Sequence, residues 1–224
     1  MNSDSKFPAY AEELADIARW AYRNGWAPGT STNYSVRLHA EAGSAVCAIT
    51  SSGTDKSILT ADHILTIDHH GRPIDGRSLT PSAEAGLHLM LYRTTEAGAV
   101  LHTHSMAATI VSQAEKERGQ LTLSGWELLR GLDGVHSHEY KVVIPIFPNS
   151  QDIPALAALI EAHLAAALPC YGFLLAGHGL YVWGKDLPTA KRHLEVFEFL
   201  LQCEREVRSH GNPAPTRQAY IPHE

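Results

Sequence analysis

Cysteine is scarce in this 224-residue chain, which has only Cys47, Cys170 and Cys203. An odd number without CxxC spacing argues against a disulfide framework or a cysteine zinc site, and leaves the thiols as small apolar residues. Long apolar runs are missing too. No stretch approaches the length of a bilayer span, and Met1–Pro8 are polar without the apolar segment of a secretory signal. A soluble, cytoplasmic protein with no membrane contact is therefore expected. Basic clusters are also lacking: 18 Lys+Arg stand against 24 Asp+Glu, for a net charge of −6 with histidines neutral. The scattered cations speak against nucleic acid or an anionic membrane as partner. Neither a GxGxxG nor a P-loop is present, which removes two common nucleotide cradles, and there is no internal repeat.

The chain is well supplied with apolar residues and with histidine. At 44% hydrophobic content it can build one large core. The expected organisation is a single domain over 1–208 and a loosely ordered tail, rich in Gly, Pro and polar residues, over 209–224. Periodicity predicts a helix over Tyr10–Asn24, with Leu14, Ile17, Ala18 and Ala21 on one stripe and Gly25 as its stop. Further helices are expected after Pro81 with Ser82 as cap, over Ser105–Ser112, over Pro154–Ala167, and after Asp186 and Pro188. Strand-like runs are Tyr34–Leu38, Ala45–Thr50, Ile64–Asp68, the segment entering His102, Val142–Phe147, Gly172–Ala176 and Gly179–Trp183. Alternating strands and helices imply an α/β or α+β domain.

Among 14 histidines, two stand out because His102-Thr103-His104 closes the apolar run Ala99-Val100-Leu101. On a strand, residues two apart share a face, so both imidazoles can reach one ion. A third histidine lies in Ala176-Gly177-His178-Gly179. Three neutral histidines leave a fourth position open, as catalytic zinc requires, although imidazole also suits iron, copper, nickel or cobalt. His69-His70 are adjacent, hence opposed on a strand, and sit in a turn-like stretch ending in Gly71-Arg72-Pro73. His136 and His138 have the right spacing but a polar setting, and are not expected to be ligands.

Five segments in order carry a resemblance. Gly29-Thr30-Ser31-Thr32-Asn33, Thr50-Ser51-Ser52-Gly53, Pro81-Ser82-Ala83-Glu84, His102-Thr103-His104-Ser105 and Gly177-His178-Gly179 resemble the zinc-dependent class II aldolase/adducin family over roughly Ala11–Arg205. Gly125–Leu132 and His178–Gly184 are similar to the family's dehydratases acting on a ketose phosphate, rather than to its aldolases. The resemblance implies a three-layer αβα sandwich around a mostly antiparallel sheet, assembled as a homotetramer with sites near subunit boundaries. It also implies one zinc ion per subunit on His102, His104 and His178, and a sugar-phosphate substrate.

A metal with an open position can act as Lewis acid toward the carbonyl of a ketose phosphate, and a carboxylate is then needed to move a proton. By resemblance Glu127 takes that acid/base role, with Glu84 as the carboxylate beside the metal; two acids near one cation can have their pKa values pushed apart. The resemblance also implies Asn33, Ser52, Gly53 and Ser82 as substrate-binding residues near the phosphate, where the 29–33 and 51–53 turns could present donors to an anion. Lys56 reads as a solvated surface lysine or an extra counter-charge. Trp126 and Tyr181 are candidates to receive an apolar sulfur-bearing tail. Competing expectations are an aldolase or epimerase acting on another ketose phosphate, and an adducin-like interaction module without chemistry.

Overall fold

The computed structural model describes residues 6–38, 46–166 and 169–210. The expected tail beyond His210, and the outermost residues of the Ala45–Thr50 and Pro154–Ala167 expectations, lie outside these. In chain order the elements are α1 (Phe7–Arg23), β1 (Asn33–Arg37), β2 (Cys47–Thr50), β3 (Ile64–Ile67), α2 (Ala85–Thr94), β4 (Ala99–Thr103), α3 (Met106–Glu115), β5 (Gln120–Leu123), β6 (Val142–Phe147), α4 (Ile153–Ala166), β7 (Gly172–Leu175), β8 (Gly179–Gly184) and α5 (Leu187–Ser209). The strands form one sheet in the order β3-β2-β1-β4-β8-β7-β6-β5, antiparallel except where β6 meets β7.

Each strand divides its side chains between two cores, as a period of two dictates. On β4, Ala99 and Leu101 join Leu14 and Ile17 of α1, Val111 of α3 and Leu194 and Phe197 of α5. Val100 faces the other way, with Leu87 and Met90 of α2 and Leu156 and Ile160 of α4. The result is the expected three-layer sandwich, with α1, α3 and α5 on one face and α2 and α4 on the other. His102 shares the parity of Val100, so it points to the α2 side.

Two helix ends follow local capping chemistry, and the one cap expected from the sequence does not. The Ser105 hydroxyl accepts from the Ala108 amide at 3.0 Å to open α3, and the Asp186 carboxylate accepts from the Thr189 amide at 2.8 Å to open α5. Ser82 does not cap a helix. Helix α2 starts three residues later with Glu84 in the cap position, because the Ser82 oxygen is engaged by the Asn33 amide and by the Glu84 backbone N–H. Strand β5 has no counterpart among the expected runs.

Candidate metal centre

Register assembles the site. Asn33 on β1 pairs with His102 on β4, His102 pairs with Tyr181 on β8, and Tyr181 pairs with Phe173 on β7. Directly opposed residues face the same way, so these four side chains form one row across the sheet. Tyr181 lies flat against the His102 ring, centroids 3.9 Å apart at 16°, with Phe173 stacked behind it at 4.8 Å. Tyr181 is fully buried. It is a floor beneath a ligand, which corrects the expectation that it could receive a substrate tail. Trp126 lies elsewhere, its indole N–H donating to Glu204.

Three imidazoles and one carboxylate converge above this floor. The Nε2 atoms of His102 and His104 are 2.7 Å apart, and those of His104 and His178 are 2.9 Å apart. The Glu84 oxygens lie 3.4 Å from His102 Nε2 and 3.4 Å from His178 Nε2. One ligand atom from each of the four residues falls within 4.8 Å of all the others. His104 reaches the group because the chain leaves β4 there, its backbone N–H held by Trp26 O at 2.8 Å. His178 is carried in on the β7–β8 turn, with Gly177 at φ 65°.

The donor set fits a cation. His102 Nδ1–H donates to Leu180 O at 3.0 Å, and His178 Nδ1–H donates to Asn149 Oδ1 at 3.2 Å. Each bond fixes a tautomer in which Nε2 carries a lone pair. Burial, reinforced by the neighbouring His104 and His178, pushes His102 well below the ordinary histidine range. Burial, then His178 and Lys56, pushes His104 down to about 4. With the Nε2 lone pairs of His102 and His178 turned toward His104 Nε2 and the Glu84 carboxylate, the four groups are arranged as ligands that a divalent metal would satisfy together. A cavity of about 400 Å³ opens over His104 and His178, bordered by Pro28, Thr109, Asn149 and Gln151. A larger one, about 700 Å³ beside Trp126, Glu204 and Arg208, includes none of the four ligand residues.

The four expected substrate residues gather around the start of α2. Asn33 Nδ2 donates to Ser82 Oγ at 3.1 Å and to Glu84 Oε2 at 3.0 Å. An isolated bridge between Ser51 and Pro81, with Ser52 N–H donating to Thr80 O, sets the exposed Ser52-Gly53 turn beside Ser82. Lys56 is buried, contrary to a solvated lysine: its Nζ donates to Thr54 O at 2.9 Å and to Thr30 O at 3.3 Å, tying the 29–33 turn to the 51–54 turn. Burial lowers its pKa to about 8.

Glu127 is not brought to this group. It begins a 3-10 turn, Glu127–Gly131, with its side chain 69% exposed, and it pairs with Arg130 at 2.6 Å and faces His138 Nδ1 at 3.8 Å. His136 and His138 take no part in the cluster. Asn149 was missed, because a turn asparagine after Pro148 carries no local signal of a ligand partner.

Fold and donor set together define a protein of the class II aldolase type. Residues 12–204 match the Class II Aldolase and Adducin N-terminal domain, and the chain belongs to this family. It is 43% identical over 202 residues to a methylthioribulose-1-phosphate dehydratase of Sorangium cellulosum, covering 90% of this chain and 93% of that one. Identity is 50% over 198 residues to the protein of the same name from Yersinia enterocolitica, covering 87% and 90%. In fold, L-fuculose-1-phosphate aldolase from Thermus thermophilus superposes with a TM-score of 0.70 at 21% identity, covering 94% of this chain and 99% of that one.

Proposed function

We propose that this chain is the dehydratase that converts 5-methylthioribulose 1-phosphate to 2,3-diketo-5-methylthiopentyl 1-phosphate and water, a step of methionine salvage, in the cytoplasm. The observation that carries the reading is identity of 41–50% to dehydratases of that name over most of the chain, combined with a convergent three-histidine, one-carboxylate group. The retained ligand set disfavours a non-catalytic adducin-like module.

His102, His104 and His178 hold the ion, with zinc the preferred metal and one per subunit. When bound, it would supply Lewis-acid charge at the ketose carbonyl. The chemistry then asks two things of protein carboxyls: removal of the proton on C3, next to the carbonyl, and return of a proton to the C4 hydroxyl so that it departs as water. The resulting enol becomes the diketone. Glu127 keeps the acid/base role and reaches the cavity from a second copy in a homotetramer; its exposure, beside the exposed Leu128, leaves room for it to face that copy. Glu84 supports the metal from within the subunit, held by Asn33. The phosphate sits on donors from Asn33, Ser52, Gly53 and Ser82, backed by the positive charge of Lys56.

One observation favours an alternative. Glu84, the carboxylate that the aldolase branch uses for proton transfer, is the one inside the metal group. Incubation with methylthioribulose 1-phosphate and mass detection decides between them: loss of one water supports the dehydratase, and scission into two smaller carbonyl products supports the aldolase.

A further inference from the structure

A second set of buried polar groups runs behind the metal centre. Tyr92 OH lies 2.7 Å from Ser35 Oγ, and Ser35 Oγ lies 2.7 Å from His88 Nδ1. His88 Nε2 contacts Asn33 Oδ1, and the Asn33 amide nitrogen reaches Glu84 and Ser82. Ser35 and His88 are fully buried, Asn33 and Tyr92 nearly so. Burial holds the His88 ring neutral, its pKa pushed down to about 3.

The direction of every bond in this chain follows from elementary bookkeeping of protons. Asn33 presents its NH₂ to the Glu84 and Ser82 oxygens, which leaves its own oxygen for His88. A neutral imidazole has one N–H, and Asn33 Oδ1 only accepts, so that hydrogen is on Nε2. Nδ1 is then an acceptor, Ser35 O–H donates to it, and Tyr92 O–H donates to Ser35. All the bonds point toward the carboxylate. A rotated Asn33 would set its oxygen against Glu84 and its NH₂ against His88, breaking the order at both ends.

We infer that His88 is a positioning residue of this site: by donating from Nε2 to Asn33 it locks the amide that aims Glu84 at the metal group and Ser82 at the substrate. His88 follows Glu84 by four residues on α2, so one helix carries both the carboxylate and the group that orients its partner. The kinetic part of the inference rests on the proposed dehydration; the tautomer does not.

The experiment is ¹⁵N NMR of the histidine rings in the zinc-loaded full chain, together with a mutant cycle. The lock requires a neutral His88 in the Nε2–H form at neutral pH, and an Nδ1–H or doubly protonated ring would overturn it even if the substrate assignment failed. His88→Phe keeps an aromatic ring, slightly larger, and removes both ring bonds. It is expected to retain zinc while lowering kcat about 10-fold or more, with a smaller change in KM, and His88→Gln, whose amide can still donate to Asn33, is expected to recover most of the loss. In an Asn33→Ala background His88→Phe should add little; full additivity, or unchanged kcat in His88→Phe, overturns the inference. Should His88→Phe fail to fold, the His88→Gln variant and the tautomer still decide.

Discussion

At the residue scale the two glutamates are separated in space, and this makes their roles separable by substitution. Glu127→Gln preserves shape and lies outside the metal group, so it should keep metal and substrate affinity and slow turnover by about 10²-fold or more. Glu84→Gln alters charge beside the ligands and should change metal affinity along with rate, as equilibrium dialysis and steady-state kinetics would report. Near-normal turnover in Glu127→Gln, with turnover lost and metal kept in Glu84→Gln, would transfer the acid/base role to Glu84. A third glutamate gives a pH prediction. Glu198 on α5 is fully buried, accepts from Thr103 Oγ1, and has its pKa raised from 4.5 to about 7, chiefly by burial. Between those values the folded state holds a proton that the unfolded state has released, so stability falls as pH rises from about 4.5 through 7, by roughly 3 kcal/mol at ~1.4 kcal/mol per unit. Urea unfolding across that range should reveal the slope and Glu198→Gln should flatten it; an unchanged slope would mean that Glu198 is not its source. His102 and His104 were legible in the sequence from their HxH spacing at the end of an apolar run, although β4 ends at Thr103 and His104 reaches the group from just beyond the strand. The burial of Lys56 was not, since it depends on two turns 20 residues and more apart closing on one ammonium.

At the scale of elements, local signals served where one segment decides its own fate. Val142–Phe147 is the strand that its β-branched run predicts, and α5 starts directly after Asp186, where a helix was expected. They failed where a distant partner intervenes: Asn33 draws Ser82 away from capping α2, and β5 is only four residues, paired to β6 rather than announced by its own pattern. The row Asn33, His102, Tyr181 and Phe173 comes from β1, β4, β8 and β7, of which only β7 and β8 are neighbours in sequence, so no local pattern contains it. The pairing of β4 with β8 makes a testable demand. A Cβ on Gly179 would sit 2.0 Å from the Thr103 carbonyl oxygen, so only glycine lets β8 approach β4 between His104 and His178. Gly179→Ala should force the strands apart, cost about 1–3 kcal/mol or more, and lose metal. The contrast is Gly134→Ala, at φ 75° in open space, which should cost about 1 kcal/mol of backbone strain and leave metal content unchanged. Metal retained in Gly179→Ala would refute the coupling of this strand pair to the site.

At the scale of the whole molecule, the role proposed for Glu127 at the cavity over His104 and His178 calls for copies of the chain to assemble. Light scattering should report a tetramer. The sharper test mixes two inactive variants: His102→Ala subunits lack the metal but carry Glu127, and Glu127→Gln subunits hold metal without the acid. If Glu127 serves a neighbour's site, co-refolded hybrids should regain activity at roughly a quarter of sites, while an inactive hybrid would return Glu127 to its own subunit or remove it from the reaction. All of this presupposes the reaction itself. The most direct measurement is incubation of the zinc-loaded protein with 5-methylthioribulose 1-phosphate, followed by mass detection of the phosphorylated product. The account predicts a single product lighter by one water, abolished by His104→Ala; unchanged substrate, or cleavage into two fragments, would contradict it.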